Sequence, residues 1–433
     1  TEGSNVAFNF TLSNPSAVAT NYTFTLTNGT AGSSDYTTTD VTVTVPAGAT
    51  TGTVSVPTTQ DTIDEADETF TINNGAVSAT GTILDNDAVP VVATISPASA
   101  TEGSNVAFNF TLSNPSAVAT NYTFTLTNGT AGSSDYTTTD VTVTVPAGAT
   151  TGTVSVPTTQ DTIDELDETF TINNGAVSAT GTILDNDAVP VVATISPASA
   201  TEGSNVAFNF TLSNPSAVAT NYTFTLTNGT AGSADYTTTD VTVTVPAGAT
   251  TGTVSVPTTQ DTIDEADETF TINNGAVSAT GTILDNDAVP VVATISPASA
   301  TEGSNVAFNF TLSNPSAVAT NYTFTLTNGT AGSADYTTTD VTVTVPAGAT
   351  TGTVSVPTTQ DTIDELDETF TINNGAVSAT GTILDNDAVP VVATISPASA
   401  TEGSNVAFNF TLSNPSAVAT NYTFTLTNGT AGS

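Results

Sequence analysis

The sequence repeats itself every one hundred residues. The stretch "TEGSNVAFNFTLSNPSAVATNYTFTLTNGTAGS" begins at 1, 101, 201, 301 and 401. Two columns vary: Ser34, Ser134, Ala234 and Ala334 at one, and Ala66, Leu166, Ala266 and Leu366 at the other. A period of this length is a domain, not a solenoid turn, so each unit must close a core of its own. The boundary is set at "DNDAVPVVAT", where Pro90 interrupts the chain and a new apolar run starts at Val91. In that frame 91–190, 191–290 and 291–390 are complete units. Residues 1–90 lack the opening strand, and 391–433 hold the first strands only. Both ends fall inside a unit, which leads us to expect an excerpt of a longer array.

Within the unit 91–190, apolar and polar residues alternate with period two, the period of a half-buried strand rather than a helix. "VAFNFTL" directs Val106, Phe108, Phe110 and Leu112 to one face. Similar alternation marks "YTFTLT", "VTVTV", "TVSV", "FTI" and "VSATGTI", and "VVATI" opens the unit. The opposite faces are Thr, Ser and Asn, and Pro or Gly turns separate the runs. Seven short strands in about a hundred residues predict an all-β fold of tandem seven-stranded antiparallel immunoglobulin-like β-sandwiches, arranged as an extended rod.

The chain has 41 Asp and Glu residues and no Lys, Arg or His, for a formal charge of −41. Charged residues are nevertheless only 9% of the chain and hydrophobic ones 37%, which is folded rather than disordered acidic composition. The missing residue types exclude imidazole and thiol chemistry, zinc or haem sites of the usual kind, and lysine Schiff bases. Nucleic-acid binding by counterion release needs basic groups and finds none. No apolar run is long enough to span a membrane in this segment.

The acids are not dispersed. In an antiparallel sandwich, successive loops alternate between the two ends. That count puts Glu102, Asp135, Asp140, Asp161, Asp164, Glu165, Asp167, Glu168, Asp185 and Asp187 at one end and no acid at the other. A solvated acidic patch is the plainer reading, but it would be served better by charges spread over the neutral Thr-rich faces. All-oxygen ligand sets suit Ca²⁺, which takes six to eight oxygens in flexible geometry, better than Mg²⁺. On valence, roughly three or four Ca²⁺ would neutralise six to eight of these charges. "DTIDEADETF" lacks the glycine of an EF-hand loop. The sequons at Asn109, Asn121 and Asn128 are expected by chance in so much Asn and Thr. A paired-carboxylate hydrolase would need a cleft that a bare sandwich lacks, so no catalytic residues are assigned.

"ATEGSNVAFNFTLSNPS", "GTAGSSDY", "VPAGATTGTVSVPTTQDTIDEADETF" and "GTILDND" together resemble a Calx-β domain, an immunoglobulin-like module named from sodium–calcium exchangers. The resemblance covers the whole unit. It implies several Ca²⁺ clustered at one end, with Glu102, Asp135, Asp161, Glu165, Glu168, Asp185 and Asp187 as ligands and Asp164 and Asp167 as further candidates. The equivalents are Asp61, Glu65, Glu68, Asp85 and Asp87 in the first unit, and Glu202, Asp235, Asp261, Glu265, Glu268, Asp285 and Asp287 in the third. Gln160 and Thr162 beside Asp161, and Asn186 within the terminal run, depart from the consecutive acids of the exchanger domain and point to fewer ions or weaker sites.

These readings converge on a non-enzymatic, calcium-binding structural repeat protein. The expectation is a rigid extracellular or cell-surface fibre or adhesin stalk of bacterial type, with Ca²⁺ at the domain junctions. Its partners are the adjacent repeats and identical chains in a filament. The alternatives are an adhesin module binding ice or glycan through its Thr-rich faces, and a subunit of a laterally assembled sheath.

Overall fold

The computed structural model describes residues 1–430 apart from Ala176 and Ala276, and among these it contains strands and no helix. The first repeat has six strands: β1 (Asn5–Thr11), β2 (Thr20–Asn28), β3 (Val41–Val45), β4 (Thr51–Pro57), β5 (Glu68–Asn73) and β6 (Ser78–Ile83). The second has eight: β7 (Val92–Ile95), β8 (Ala98–Thr101), β9 (Asn105–Leu112), β10 (Thr120–Asn128), β11 (Val141–Val145), β12 (Thr151–Pro157), β13 (Glu168–Asn174) and β14 (Val177–Leu184). The third and fourth repeats follow the second. Beyond them Val392–Ile395 pairs with Phe410–Leu412, and residues 431–433 of the final segment lie outside the described residues.

In the second repeat a three-stranded sheet, β12-β9-β7, packs on a five-stranded sheet, β11-β10-β13-β14-β8. This is an immunoglobulin-like sandwich, with one change from the seven-strand expectation. The opening strand is split in two and serves both sheets. Ser96-Pro97 makes the switch, because proline has no N–H to continue a ladder. The first half, β7, pairs antiparallel with β9; the second, β8, pairs in parallel with β14 from Ala98↔Gly181 to Thr101↔Leu184. A register shift between Val92 and Thr94 also breaks simple alternation. The bulge turns Val92 and Ile95 inward together and leaves Val91 exposed. Both halves run in the same direction, so the alternation of loops between the two ends is unchanged.

The core is the predicted face of each strand. Val106, Phe108, Phe110 and Leu112 are buried, as are Tyr122, Phe124, Val145, Val154, Val156, Phe170, Ile172 and Ile183. Phe108 meets Phe170 edge-on at 5.7 Å, and Tyr136 stacks on Phe170 at 4.4 Å. Gly181 on β14 leaves room for this aromatic group: a Cβ there would lie 2.6 Å from Cζ of both Phe108 and Phe170. The first repeat lacks the two halves of the opening strand, and its Phe8 and Phe10 are correspondingly only half-buried.

By its internal contacts the chain divides into two compact units. One holds Thr1–Val191 with the loops Leu212–Thr220 and Val245–Thr250, and the other holds the remainder.

Gly181→Ala should destabilise its repeat by about 1–3 kcal/mol through overpacking. Urea denaturation of the full chain checks this; an unchanged profile would show that the aromatic cluster can yield.

Candidate metal centre

Four segments build the acidic pole, and the fold positions each. The parallel pairing of β8 with β14 is extended by the Glu102 N–H, which donates to the Leu184 carbonyl at 3.1 Å. That bond sets Glu102 beside the segment carrying Asp185 and Asp187. Gly103 then turns the chain with φ +71°, a conformation that strains any residue with a Cβ. Asp135 is held from the core side. Its neighbour Tyr136 is stacked on Phe170 and donates its hydroxyl to Asn128 Oδ1 at 2.7 Å. The Gly132 N–H donates to Asp135 Oδ2 at 2.6 Å, and the Thr159 N–H to the Asp135 carbonyl at 2.8 Å. The loop at 161–168 is shaped by Asp161, whose Oδ1 accepts the Ile163 N–H at 2.7 Å.

In the first and second repeats the carboxylates gather into two trios each, with ligand atoms within 4.8 Å of one another. One is Glu102, Asp185 and Asp187, matched by Glu2, Asp85 and Asp87 in the first repeat; in the third, Glu202 and Asp287 are joined by Asp261, the counterpart of Asp161, in place of Asp285. The other is Asp135, Glu165 and Glu168, matched by Asp35, Glu65 and Glu68. Members of both trios share one small recess. In the third repeat it is lined by Glu202, Asp235, Asp261, Glu265, Glu268 and Asp285, and the fourth repeats the arrangement.

Three acids of the pole have other tasks. Asp167 Oδ1 accepts the Asp185 N–H at 3.2 Å and so positions the terminal segment. Asp164 Oδ2 accepts the Ser216 hydroxyl at 2.9 Å, away from the trios. Asp40, the first-repeat counterpart of Asp140, lies against the middle of β2, accepting weakly from Thr25 and Leu26. Two residues that the sequence marks only as departures from acidic runs take a structural part beside the recess. Gln160 and Asn186 exchange amide hydrogen bonds at 3.1 and 3.3 Å, and Gln160 also donates to Glu102 Oε2 at 3.3 Å. Their signal was present as the two neutral breaks in otherwise acidic runs.

This cluster is electrostatically unfinished. At an effective dielectric of about 20, two carboxylates some 5 Å apart repel by about 3 kcal/mol, less where solvent screens them. Burial, then the neighbouring acids, pushes Glu2, Glu68, Glu102 and Glu168 up to about 7. Glu202, Glu268, Glu302 and Glu368 rise to about 7 in the same way. Asp35 moves the other way: burial raises it, but the Gly32 N–H, Ser34 and Glu68 hold it below the ordinary range. Asp87 Oδ2, Asp187 Oδ2, Asp287 Oδ2, Asp387 Oδ2 and Glu268 Oε2 are buried with no hydrogen-bond partner. Buried, unpartnered carboxylate oxygens in a chain without Lys, Arg or His fit a bound cation. Oxygens on opposite sides of one Ca²⁺ lie about 5 Å apart, matching the trio spacing.

Fold and pole together define a tandem array of immunoglobulin-like sandwiches, each with a preformed acidic recess. The Calx-beta domain family matches residues 10–99, 85–196, 185–296 and 285–401, and the chain belongs to that family. Solved structures similar to it include CBD12 from CALX1.2, at 17% identity over 41% of this chain and 75% of that one, with a TM-score of 0.20. The calcium binding domain CBD12 of CALX1.1 is 15% identical over 45% of this chain and 82% of that one, TM-score 0.20. The titin I-band fragment I67-I69 is 12% identical over 70% of this chain and all of its own, TM-score 0.23. No curated protein matches the sequence.

The raised glutamates give the cation-free protein an inverted pH profile. Each binds its proton more tightly folded than unfolded. Its contribution to stability is full below the ordinary pKa of 4.5 and is lost as the pH rises through about 7. In chelator the melting temperature should therefore fall between pH 5 and pH 8, and excess Ca²⁺ should abolish the fall. Melting curves at the two pH values, with and without Ca²⁺, check the sign.

Proposed function

We propose that this protein is a structural calcium-binding repeat protein, a spacer of an extracellular fibre or adhesin stalk, with Ca²⁺ held at the acidic pole of each repeat. The carrying observation is the acidic pole itself: carboxylate trios whose members include buried, unpartnered oxygens, with no cationic side chain in 433 residues. Asp135, Glu165 and Glu168 would hold one ion, and Glu102, Asp161, Asp185 and Asp187 another. The bound ion supplies the positive charge that the chain lacks. Gln160 and Asn186 would brace the edge of the site as a neutral pair.

Membership of the Calx-beta family supports this reading, because the resemblance implies Ca²⁺ clustered at one end of the module. The near-identity of the repeats supports a spacer, in which every unit does the same work, over a set of specialised binding or catalytic domains. Extracellular placement and an extended, rod-like array follow as parts of the same proposal. The Thr-rich faces favour ice or glycan recognition less than composition suggests. Their hydroxyls are partly spent on each other, as between Thr123 and Thr142 at 2.9 Å and between Thr94 and Thr111 at 2.7 Å. Lateral assembly has one observation in its favour: Leu166 and Leu366 project from the acidic loop 76% and 72% exposed.

Calorimetric titration of the full chain should show one Ca²⁺ per acidic trio. Chelation should lower the melting temperature and alter the maximum dimension in solution scattering. An unchanged melting temperature and dimension on chelation would sink the proposal.

A further inference from the structure

Asparagine is followed by glycine twice in each repeat, at Asn28-Gly29 and at Asn74-Gly75 in the first. This pair has a chemistry of its own. The glycine nitrogen can close on the asparagine side chain, because glycine has no Cβ to block the approach and restricts the backbone least. The fold treats the two pairs in opposite ways.

Asn28 ends β2, in register with Phe70. Its Oδ1 accepts the hydroxyl of Tyr36 at 2.7 Å, and Tyr36 is buried and stacked on Phe70. Gly29 lies close against β5: a Cβ there would be 2.4 Å from the Thr69 carbonyl oxygen. To reach Gly29 the side chain must strip a buried hydroxyl of its partner, and the backbone must leave the sheet. The same bond holds Asn128, Asn228 and Asn328, at 2.7, 2.6 and 2.6 Å.

Asn74 sits at the tip of the hairpin between β5 and β6. Gly75 turns the chain there with φ +65°, and apart from its chain neighbours no heavy atom lies within 4 Å of its Cβ position. Its N–H makes a long bond, 3.4 Å, to Asn73 Oδ1. Asn74 Nδ2 donates to the Thr23 carbonyl at 2.6 Å, which extends the β2 ladder beyond its last pair, Thr25 with Asn73. Asn174, Asn274 and Asn374 make the equivalent bond at 2.7, 2.8 and 2.8 Å. A bond at the rim of a sheet opens when the tip frays, and the core is not disturbed.

We propose that Asn74-Gly75 and its equivalents are sites of spontaneous deamidation. The Gly75 nitrogen gives up its proton to hydroxide and bonds to Asn74 Cγ. The Cγ–Nδ2 bond breaks, and ammonia leaves with a proton taken from water. Water then opens the cyclic imide. Addition at Cγ breaks the new bond and gives aspartate; addition at the Asn74 backbone carbonyl breaks the original peptide bond and gives isoaspartate. Nothing but water is consumed. Aspartate sets an acceptor against the Thr23 carbonyl where a donor stood, and isoaspartate lengthens the turn by one main-chain carbon. Either product puts a negative charge at the end of the repeat whose loops carry no acid. The tips thus act as a clock: each conversion loosens one hairpin, and their number records the age of the chain. The proposal is independent of the calcium reading.

The test incubates the full chain in H₂¹⁸O at mildly alkaline pH, folded and in urea, followed by peptic digestion and tandem mass spectrometry. Peptides that run through Tyr36 or its equivalents report the strand-end pairs and leave out Asn428, since the chain given stops at Ser433. In the folded chain Asn74 and its equivalents should take up ¹⁸O at least about tenfold faster than Asn28 and its equivalents, and in urea the two rates should converge. Equal rates in the folded chain, or the same ratio with and without urea, would show that the fold selects neither pair and overturn the proposal. Uptake placed at Asn73 and its equivalents instead of Asn74 would overturn it too.

Discussion

The mutual repulsion of carboxylates that have no cationic partner anywhere in the chain governs this structure. A surface acid in an ordinary domain is screened by water or paired with Lys or Arg. Here six acids of one repeat line a single recess, and an oxygen of Glu268 and one of the neighbouring Asp287 are closed off from solvent. Such an arrangement is tolerable only if protons or an external cation share the site. Protons suffice below neutrality, as the glutamates raised to about 7 indicate. Above it, the remaining source of positive charge is the solvent.

The sandwich holds the acids together against that repulsion. Tyr136 ties the Asp135 loop to the aromatic core through Phe170, and the Ala131 N–H ties it to the Thr169 carbonyl, next to Glu168, at 3.0 Å. Glu102 is set by the end of a parallel strand pair, and Asp185 by the carboxylate of Asp167. The acids are fixed mainly by backbone and core contacts rather than by one another, so the recess is built before any ion arrives. Preorganisation of this kind lowers the ordering cost of binding.

Much of this was legible in the sequence. The alternation of "VAFNFTL" was enough to put Val106, Phe108, Phe110 and Leu112 in the core, because strand period is a local property. The split of the opening strand was not legible. Its halves are four residues each, and the bulge after Val92 erases the alternation that would have announced them. Loop parity brought the acidic segments to one end because both halves run the same way. The direction of each acid within that end could not be read. Asp164 and Asp167 differ from Asp161 and Glu165 only in what lies opposite them. Those partners, Ser216 and the Asp185 N–H, are 52 and 18 residues away. The pairing of Gln160 with Asn186 is likewise a contact across 26 residues that spacing cannot reveal.

The switch at Pro97 has a mechanical consequence. The preceding chain enters β8 at Ala98, and the following chain leaves β14 at Leu184. The two strands are parallel neighbours joined over four residue pairs. Tension along the chain pulls them from opposite ends and slides one past the other. The bonds between them then carry the load together instead of opening one by one, as a zipper would. A break in one strand, made where proline cannot bond, thus gives the second, third and fourth repeats a shear clamp between parallel strands.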